Sequence, residues 1–391
     1  MCRNENAIGF FSSCTPLLLL MVPIFMALLV CCLAMERFNV KQSTTFNTAR
    51  QPDPTICYTE DQDEGRCVKH SMCDMEPPKI DPSDDFIYRS QDTPYQCEFL
   101  KMCCPHDKVR SLPVVPVMAP APGCGYSYPG GVFREMTGTY ADFGEFPWMV
   151  ALLKKNYGGG LWLDENYVGG GTLINPSVVM TVAHRVDTFQ HHELKCRAGE
   201  WNTRNENEIL NHQERDVSRI LIHPEFSRKK AHNDIALLIM ETAFVITPHV
   251  NVACLGRSLP PPETVCYSMG WGKDFPASNF NAHVLKKITL PLIAPGHCQN
   301  QLRNTRLGRG YELHESLTCA GGMPNVDTCI GDGGSSLVCH IGEPGNLRYK
   351  VIGMVAYGLE CGTDNVPGVY VKIPHVRAWV DKQIEELEVG K

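Results

Sequence analysis

The stretch CIGDGGSSLVC, Cys329–Cys339, has the form of a motif that presents a nucleophilic serine. Such catalysis requires the serine oxygen within about 3 Å of a general base and beside a site that stabilises an oxyanion. The two serines of the stretch, Ser335 and Ser336, stand later than such a motif would place its hydroxyl. The sequence therefore raises the question of whether this chain performs chemistry or uses a catalytic framework for binding.

The elements that would position such a site are short runs of β-branched and apolar residues from Cys124 onward. They lie between Gly, Pro and Asn turns and include FPWMVALL, DIALLIM, YKVIGMVAYG and GVYVKI. This spacing predicts an all-β barrel or sandwich rather than a parallel α/β sheet. The tail PHVRAWVDKQIEELEV predicts a C-terminal helix, because its apolar residues fall on one stripe: Val376, Trp379, Val380, Ile384 and Leu387.

Composition and charge restrict the class of protein. The chain has 391 residues and a net charge of -7, without the dense basic surface that nucleic acid would need. Nineteen cysteines indicate an exported, disulfide-bonded protein. The apolar run from Pro16 to Met35 predicts a signal peptide with a small-residue cleavage site at Cys32-Leu33-Ala34. The same run is long enough for an uncleaved anchor, which would leave the protein attached to a membrane with the rest outside the cytosol.

The chain divides into a predicted signal peptide or signal anchor (1–35), a polar linker (36–56), a cysteine-rich module (57–104), a proline-rich linker (105–123) and a large domain (124–391). The module is too short to fold on apolar burial alone and requires a disulfide framework. Its six cysteines allow 15 connectivities, among which the sequence does not choose. They are Cys57, Cys67, Cys73, Cys97, Cys103 and Cys104.

Five motifs resemble, in order, those of the chymotrypsin-like serine proteases: TVAHR, NDIALL, CYSMGWG, DTCIGDGGSSLVC and PGVYVKI. The resemblance covers roughly residues 124 to 388. It implies two six-stranded β-barrels with the active site between them. The cysteine-rich module resembles a clip domain, and the combination is similar to the arthropod clip-domain proteases and prophenoloxidase-activating factors.

The resemblance assigns the parts of a catalytic triad one by one. His184 takes the position of the general base and Asp234 that of the carboxylate that orients it. The nucleophile belongs between Asp332 and Gly334, and that residue is Gly333, which has no side chain to attack a carbonyl. A serine two positions away would be misplaced by several ångströms, and an error of 1 Å can already cost about 100-fold in rate. The sequence therefore predicts a homologue without proteolytic activity.

Activation of the family depends on a cut that frees an Ile or Val amino terminus to pair with the aspartate beside the nucleophile. A cut after Arg134 would free Glu135 instead, which is a poor terminus to bury. We therefore expect backbone donors to satisfy Asp332.

The resemblance also implies disulfide pairings. In the clip module these are Cys57–Cys103, Cys67–Cys97 and Cys73–Cys104; in the large domain they are Cys124–Cys254, Cys266–Cys339, Cys298–Cys319 and Cys329–Cys361. The bridge that usually flanks the histidine is missing, since Gly169 and Arg185 occupy its positions. Cys196 is left over, either as a buried thiol or as a partner for another chain.

Two binding sites are suggested by the same resemblance. Asp327, with the small walls Gly358 and Gly368, matches a pocket that receives lysine or arginine, although inheritance without use is the simpler explanation. A loop with three carboxylates resembles a calcium site, but a charged surface loop needs no ion. Those residues are Glu200, Glu206 and Glu208.

The leading functional hypothesis is a secreted, non-catalytic cofactor or regulator of an extracellular proteolytic cascade, of the melanisation or immune type. It requires no cofactor, and its partners would be proteases or zymogens such as prophenoloxidase-like proteins. We expect a regulatory cut after Arg89, with Lys79 as a second site, between Cys73 and Cys97. The alternatives are a weak trypsin-like hydrolase that uses Ser335 and a membrane-anchored adhesion ectodomain.

Overall fold

The structure is a computed structural model, and it describes residues 56–59, 62–69, 72–74, 97, 101–112, 123–128, 140–155, 166–204, 208, 210–273, 281–324, 332–342, 348–359 and 362–389. The N-terminal apolar run and most of the proline-rich linker lie outside these ranges. So do several predicted site residues: Arg89, Glu206, Asp327, Cys329 and Cys361. Within the described ranges, no helix has both the length and the apolar character needed to cross a membrane.

The cysteine-rich module is a small antiparallel sheet fastened by disulfides. Its strands, in the order β1-β2-β3, are β1 (Ile56–Tyr58), β2 (Glu64–Val68) and β3 (Met102–Pro105). The disulfides are Cys57–Cys103, Cys67–Cys97 and Cys73–Cys104, as the resemblance implies. The buried apolar residues of this part are cysteines themselves, which is typical of a module too small for a conventional core.

Six strands form a first closed barrel in the order β4-β5-β6-β9-β8-β7. They are β4 (Met149–Lys154), β5 (Tyr167–Asn175), β6 (Val178–Thr181), β7 (Leu194–Ala198), β8 (Gln213–Ile222) and β9 (Ala236–Met240). Every residue of β6 and β9 is buried, so the apolar side chains of these two strands form part of the core. Closure leaves no unpaired edge in this barrel.

The second barrel contains the order β15-β14-β11-β12-β13-β16, and a pairing of β15 with β16 closes it. The short strand β10 runs parallel to β15 outside this ring. The strands are β10 (Cys254–Leu255), β11 (Val265–Gly270), β12 (Lys286–Ile293), β13 (Leu317–Gly321), β14 (Ser336–His340), β15 (Tyr349–Tyr357) and β16 (Pro367–Lys372). The predicted double barrel is confirmed.

The described part of the large domain also has three α-helical segments: α1 (Ala183–Val186), α2 (Pro295–Arg303) and α3 (Ile373–Val389). The predicted C-terminal helix is α3, and its apolar stripe packs on the main core as expected. Disulfides join Cys124 to Cys254, Cys266 to Cys339 and Cys298 to Cys319. The implied Cys329–Cys361 pair lies outside the described residues.

Candidate functional site between the two barrels

The first barrel presents a histidine–aspartate pair at its end. His184 lies in α1, directly after β6, and Asp234 lies directly before β9. The His184 Nδ1 atom is 2.6 Å from Asp234 Oδ2, and the His184 backbone N–H donates to Oδ1 at 2.8 Å. Asp234 is 1% exposed, whereas the His184 side chain is 27% exposed. The buried carboxylate therefore fixes the ring that faces the cleft, which is the arrangement of a general base and its orienting group.

The backbone before Asp234 is held in an uncommon conformation. Asn233 has a φ of 48°, in the left-handed region that asparagine tolerates better than most residues. Its N–H donates to the Ser316 hydroxyl at 3.0 Å. The NDIALL motif thus supplies both the carboxylate and the residue that lets the chain turn into the site.

The second barrel contributes the turn before β14, where the family nucleophile would stand. The Gly333 carbonyl accepts a hydrogen bond from the Gly170 N–H at 3.0 Å, and the Gly334 N–H donates to Val355 O at 2.9 Å. Gly334 has a φ of +90°, and a Cβ there would lie 2.3 Å from the Gly170 carbonyl oxygen. Only glycine fits at that position. The turn therefore keeps its shape although it carries no nucleophile at Gly333.

Arg185 lies against the position of the missing serine side chain. A Cβ built on Gly333 would be 2.8 Å from Arg185 Nε and 3.1 Å from Nη2. A Cβ on Gly169 would be 3.6 Å from both Arg185 Cγ and Nε, and 2.6 Å from the Gly333 carbonyl oxygen. The two residues that replace the lost disulfide thus pack directly around Gly333. The sequence indicates only a missing bridge at these positions, because it does not show where an arginine side chain extends.

The two serines that follow are enclosed. Ser335 and Ser336 are both 0% exposed. The Ser335 hydroxyl has no hydrogen-bond partner in the described part of the chain. A Cβ on Gly170 would lie 2.1 Å from the Ser335 Oγ atom, and a Cβ on Gly270 would lie 3.0 Å from it. The Ser336 hydroxyl donates to Met269 Sδ at 3.3 Å. Neither hydroxyl is open to the cleft.

Asp332 has a partner that the sequence did not suggest. Backbone donors were expected, and the Gly272 N–H does donate to Oδ1 at 2.8 Å. The other carboxylate oxygen, Oδ2, faces Lys286 Nζ at 3.4 Å, and both side chains are buried. The expectation was therefore incomplete, since a buried lysine also stands beside the carboxylate. No residue larger than glycine fits at position 272, because a Cβ there would lie 2.4 Å from the carboxylate carbon of Asp332.

Two of the three predicted calcium ligands meet in the first barrel's loop region. Burial and the negative charge of Glu200 raise the pKa of Glu208 to about 8. Glu208 accepts a hydrogen bond from the Asn202 N–H at 3.1 Å, whereas Glu200 is bound by Arg197 Nη1 at 2.9 Å. The electrostatic conflict at Glu208 would be relieved by a cation as well as by a proton. Carboxylate oxygens suit calcium, although Arg197 already engages one of the two groups.

The remaining predicted site residues give a mixed picture. Gly368 is buried in β16 opposite Ala320, and Gly358 is exposed directly after β15. Asp327, the predicted base of the pocket that these glycines would line, lies outside the described residues.

Cys196 is unpaired and fully buried in β7, and burial raises the pKa of its thiol. A thiol enclosed in a barrel is a structural residue rather than a point of attachment for another chain.

These features define a trypsin-like protein, and the sequence confirms it: the family model described as Trypsin matches residues 136–380, so the chain belongs to the trypsin family. Within that family it is a clip-domain serine protease homologue. It is 44% identical to phenoloxidase-activating factor 2 of Galleria mellonella, over 70% of this chain and 95% of that protein.

Two further relatives carry the word inactive in their names. The chain is 37% identical to inactive CLIP domain-containing serine protease A8 of Anopheles gambiae, over 74% of this chain and 79% of the relative. It is also 37% identical to inactive CLIP domain-containing serine protease A28 of the same mosquito, over 67% of this chain and 68% of the relative.

Proposed function

We propose that this chain is a secreted, non-catalytic cofactor of an extracellular protease cascade. The observation that carries the proposal is the occupant of the nucleophile position, a glycine with the Arg185 guanidinium packed against it. Removing the serine from a triad of this type costs on the order of 10⁶ in kcat. The intact His184–Asp234 pair has nothing to deprotonate at that position.

The alternative of a displaced nucleophile receives no support from the geometry. Ser335 and Ser336 are fully buried, so a substrate carbonyl would reach neither hydroxyl without a rearrangement of β14. The names of the relatives agree with a binding role, because one is a phenoloxidase-activating factor and two are called inactive. A zymogen or a protease of such a cascade is the class of partner that we propose.

Organophosphonate labelling tests the proposal directly. The full chain, before and after treatment with a trypsin-like protease, would be incubated with the reagent beside an active trypsin as positive control. Mass spectrometry of the Cys329–Cys339 peptide is expected to show no adduct. An adduct on Ser335 or Ser336, lost in Ser335→Ala or Ser336→Ala, would show that the protein is an enzyme.

Sequencing of the mature amino terminus separates secretion from membrane anchoring. A terminus downstream of Ala34 would support a secreted protein, whereas retention of Pro16 to Met35 would support the anchored ectodomain.

A further inference from the structure

Arg185 differs from the other buried or partly buried arginines of the described structure. Seven arginines there are buried or partly buried, and six of them donate hydrogen bonds: Arg110 to Asp74, Arg197 to Glu214, Arg215 to Ala243 O, Arg303 to Tyr311 O, Arg348 to Cys124 O and Arg377 to Asp381. Arg185 is the seventh, and its Nε is buried without any partner in the described part of the chain. A buried Nε–H donor without an acceptor is costly, because it has lost water and gained no hydrogen bond in exchange.

The position of Arg185 makes this exception informative. It follows His184 directly, and its guanidinium adjoins Gly333 in the cleft. Arg185 as a residue is only partly buried, whereas its Nε is buried. The Gly333 N–H also has no acceptor among the described residues. A cation and a backbone donor are thus placed together at the former nucleophile position.

The chemistry of these donors selects an anion of modest size. A guanidinium binds a carboxylate through two parallel hydrogen bonds, which is among the strongest polar contacts in proteins. A polyanion such as a sulfated glycan suits the site poorly, because the chain carries a net charge of -7. Arg228, which contacts the backbone carbonyl of His184, is already paired with Asp187. A single carboxylate on a partner protein matches the single positive charge of the Arg185 guanidinium.

We propose that the vacant catalytic centre is a receptor for a carboxylate of a partner protein, with Arg185 as the group that binds it. The inference rests on the proposed non-catalytic function and names the chemistry of the partner at the same site. The carboxylate comes from an aspartate or glutamate side chain or from a chain terminus, and the two sources are separable by experiment.

The test uses the full chain and a library of random peptides displayed on phage. Selection on the wild-type protein is expected to enrich peptides that contain Asp or Glu, and selection on Arg185→Gln is expected not to enrich them. The best peptide is then synthesised with its side-chain acid as amide or acid, and with its terminus as amide or acid. Fluorescence polarisation identifies which carboxylate matters, and Arg185→Gln is expected to weaken binding of the acidic form at least tenfold.

Arg228→Gln is the matched control, since Arg228 contacts the His184 carbonyl oxygen from the same rim but already has its own carboxylate partner. It is expected to leave the peptide affinity within twofold. Selection of peptides without acids, equal binding to Arg185→Gln, or a preference for heparin would each overturn the inference. Organophosphonate labelling reports separately on the proposed function, because an adduct would refute the absence of catalysis without changing the peptide result.

Discussion

At the scale of single residues, the exchange of a serine for a glycine is accompanied by changes in its surroundings. Arg185 and Gly169 replace a disulfide of the family, and both pack around Gly333. His184 and Asp234 keep the geometry of a working pair. Position 333 thus has no side chain while the histidine–aspartate pair keeps its geometry, and this supports the proposed recognition role.

The Lys286–Asp332 pair has a consequence for activation. In active family members an amino terminus freed by cleavage supplies the cation for this aspartate. Here Lys286 from β12 supplies one within the uncut chain, at 3.4 Å from Asp332 Oδ2. We interpret this as a structural substitute for the missing terminus.

A substitution of Lys286 tests that interpretation. Lys286→Met should lower the free energy of unfolding by about 3–5 kcal/mol, because it leaves a buried carboxylate without its cation. Chemical denaturation measures the change. Lys382→Met removes an exposed helix pair with Glu386 and should cost no more than about 0.5 kcal/mol. Equal effects of the two variants would contradict the role assigned to Lys286.

At the scale of elements, the ends of strands carry the site. His184 follows β6, Asp234 precedes β9 and Gly333 precedes β14, so two barrels must close before the three residues meet. The loop between β7 and β8 brings two acidic side chains close together. Burial and the negative charge of Glu200 both disfavour ionisation of Glu208 in this loop.

Calcium is expected to stabilise this loop. Bound at a hundredfold excess over its Kd, it would add about 2.7 kcal/mol to the free energy of unfolding. For a domain of this size that corresponds to a rise in melting temperature of about 5–11 °C, measured by calorimetry with calcium against EDTA. Glu208→Gln should abolish the rise. Identical melting temperatures in calcium and in EDTA would show that the charged loop functions without an ion.

At the scale of the whole molecule, the clip module is joined across its predicted cleavage site. Each of its three disulfides links a cysteine before Arg89 to one after it: Cys57 to Cys103, Cys67 to Cys97 and Cys73 to Cys104. A cut after Arg89 would therefore open the module without releasing either fragment.

Digestion with a trypsin-like protease provides the test. The cut protein is expected to run as one band on a non-reducing gel and as two bands after reduction, and the double variant Lys79→Gln/Arg89→Gln should prevent the second band. Separation of the fragments without reductant would contradict the disulfide pattern. A single band after reduction would show that this loop is not cleaved.

Much of the architecture follows from the sequence because local patterns report it. Short β-branched runs between turn residues predicted an all-β barrel or sandwich, and the family resemblance implied two barrels. The stripe from Val376 to Leu387 predicted α3. The ordered motifs placed His184 and Asp234, and the glycine at position 333 is visible in the sequence alone. These features depend on residue type and spacing, which a sequence states directly.

The tertiary structure alone decided which side chains share the space around those motifs. Lys286 lies 46 residues before Asp332, and no periodicity links them. Arg185 is adjacent to His184 in the chain, yet only the packing of the second barrel against the first brings its guanidinium to Gly333. The Ser335 hydroxyl is likewise enclosed by Gly170 and Gly270, which belong to two different barrels. Contacts between distant segments arise from the closure of the fold, so spacing along the chain does not reveal them.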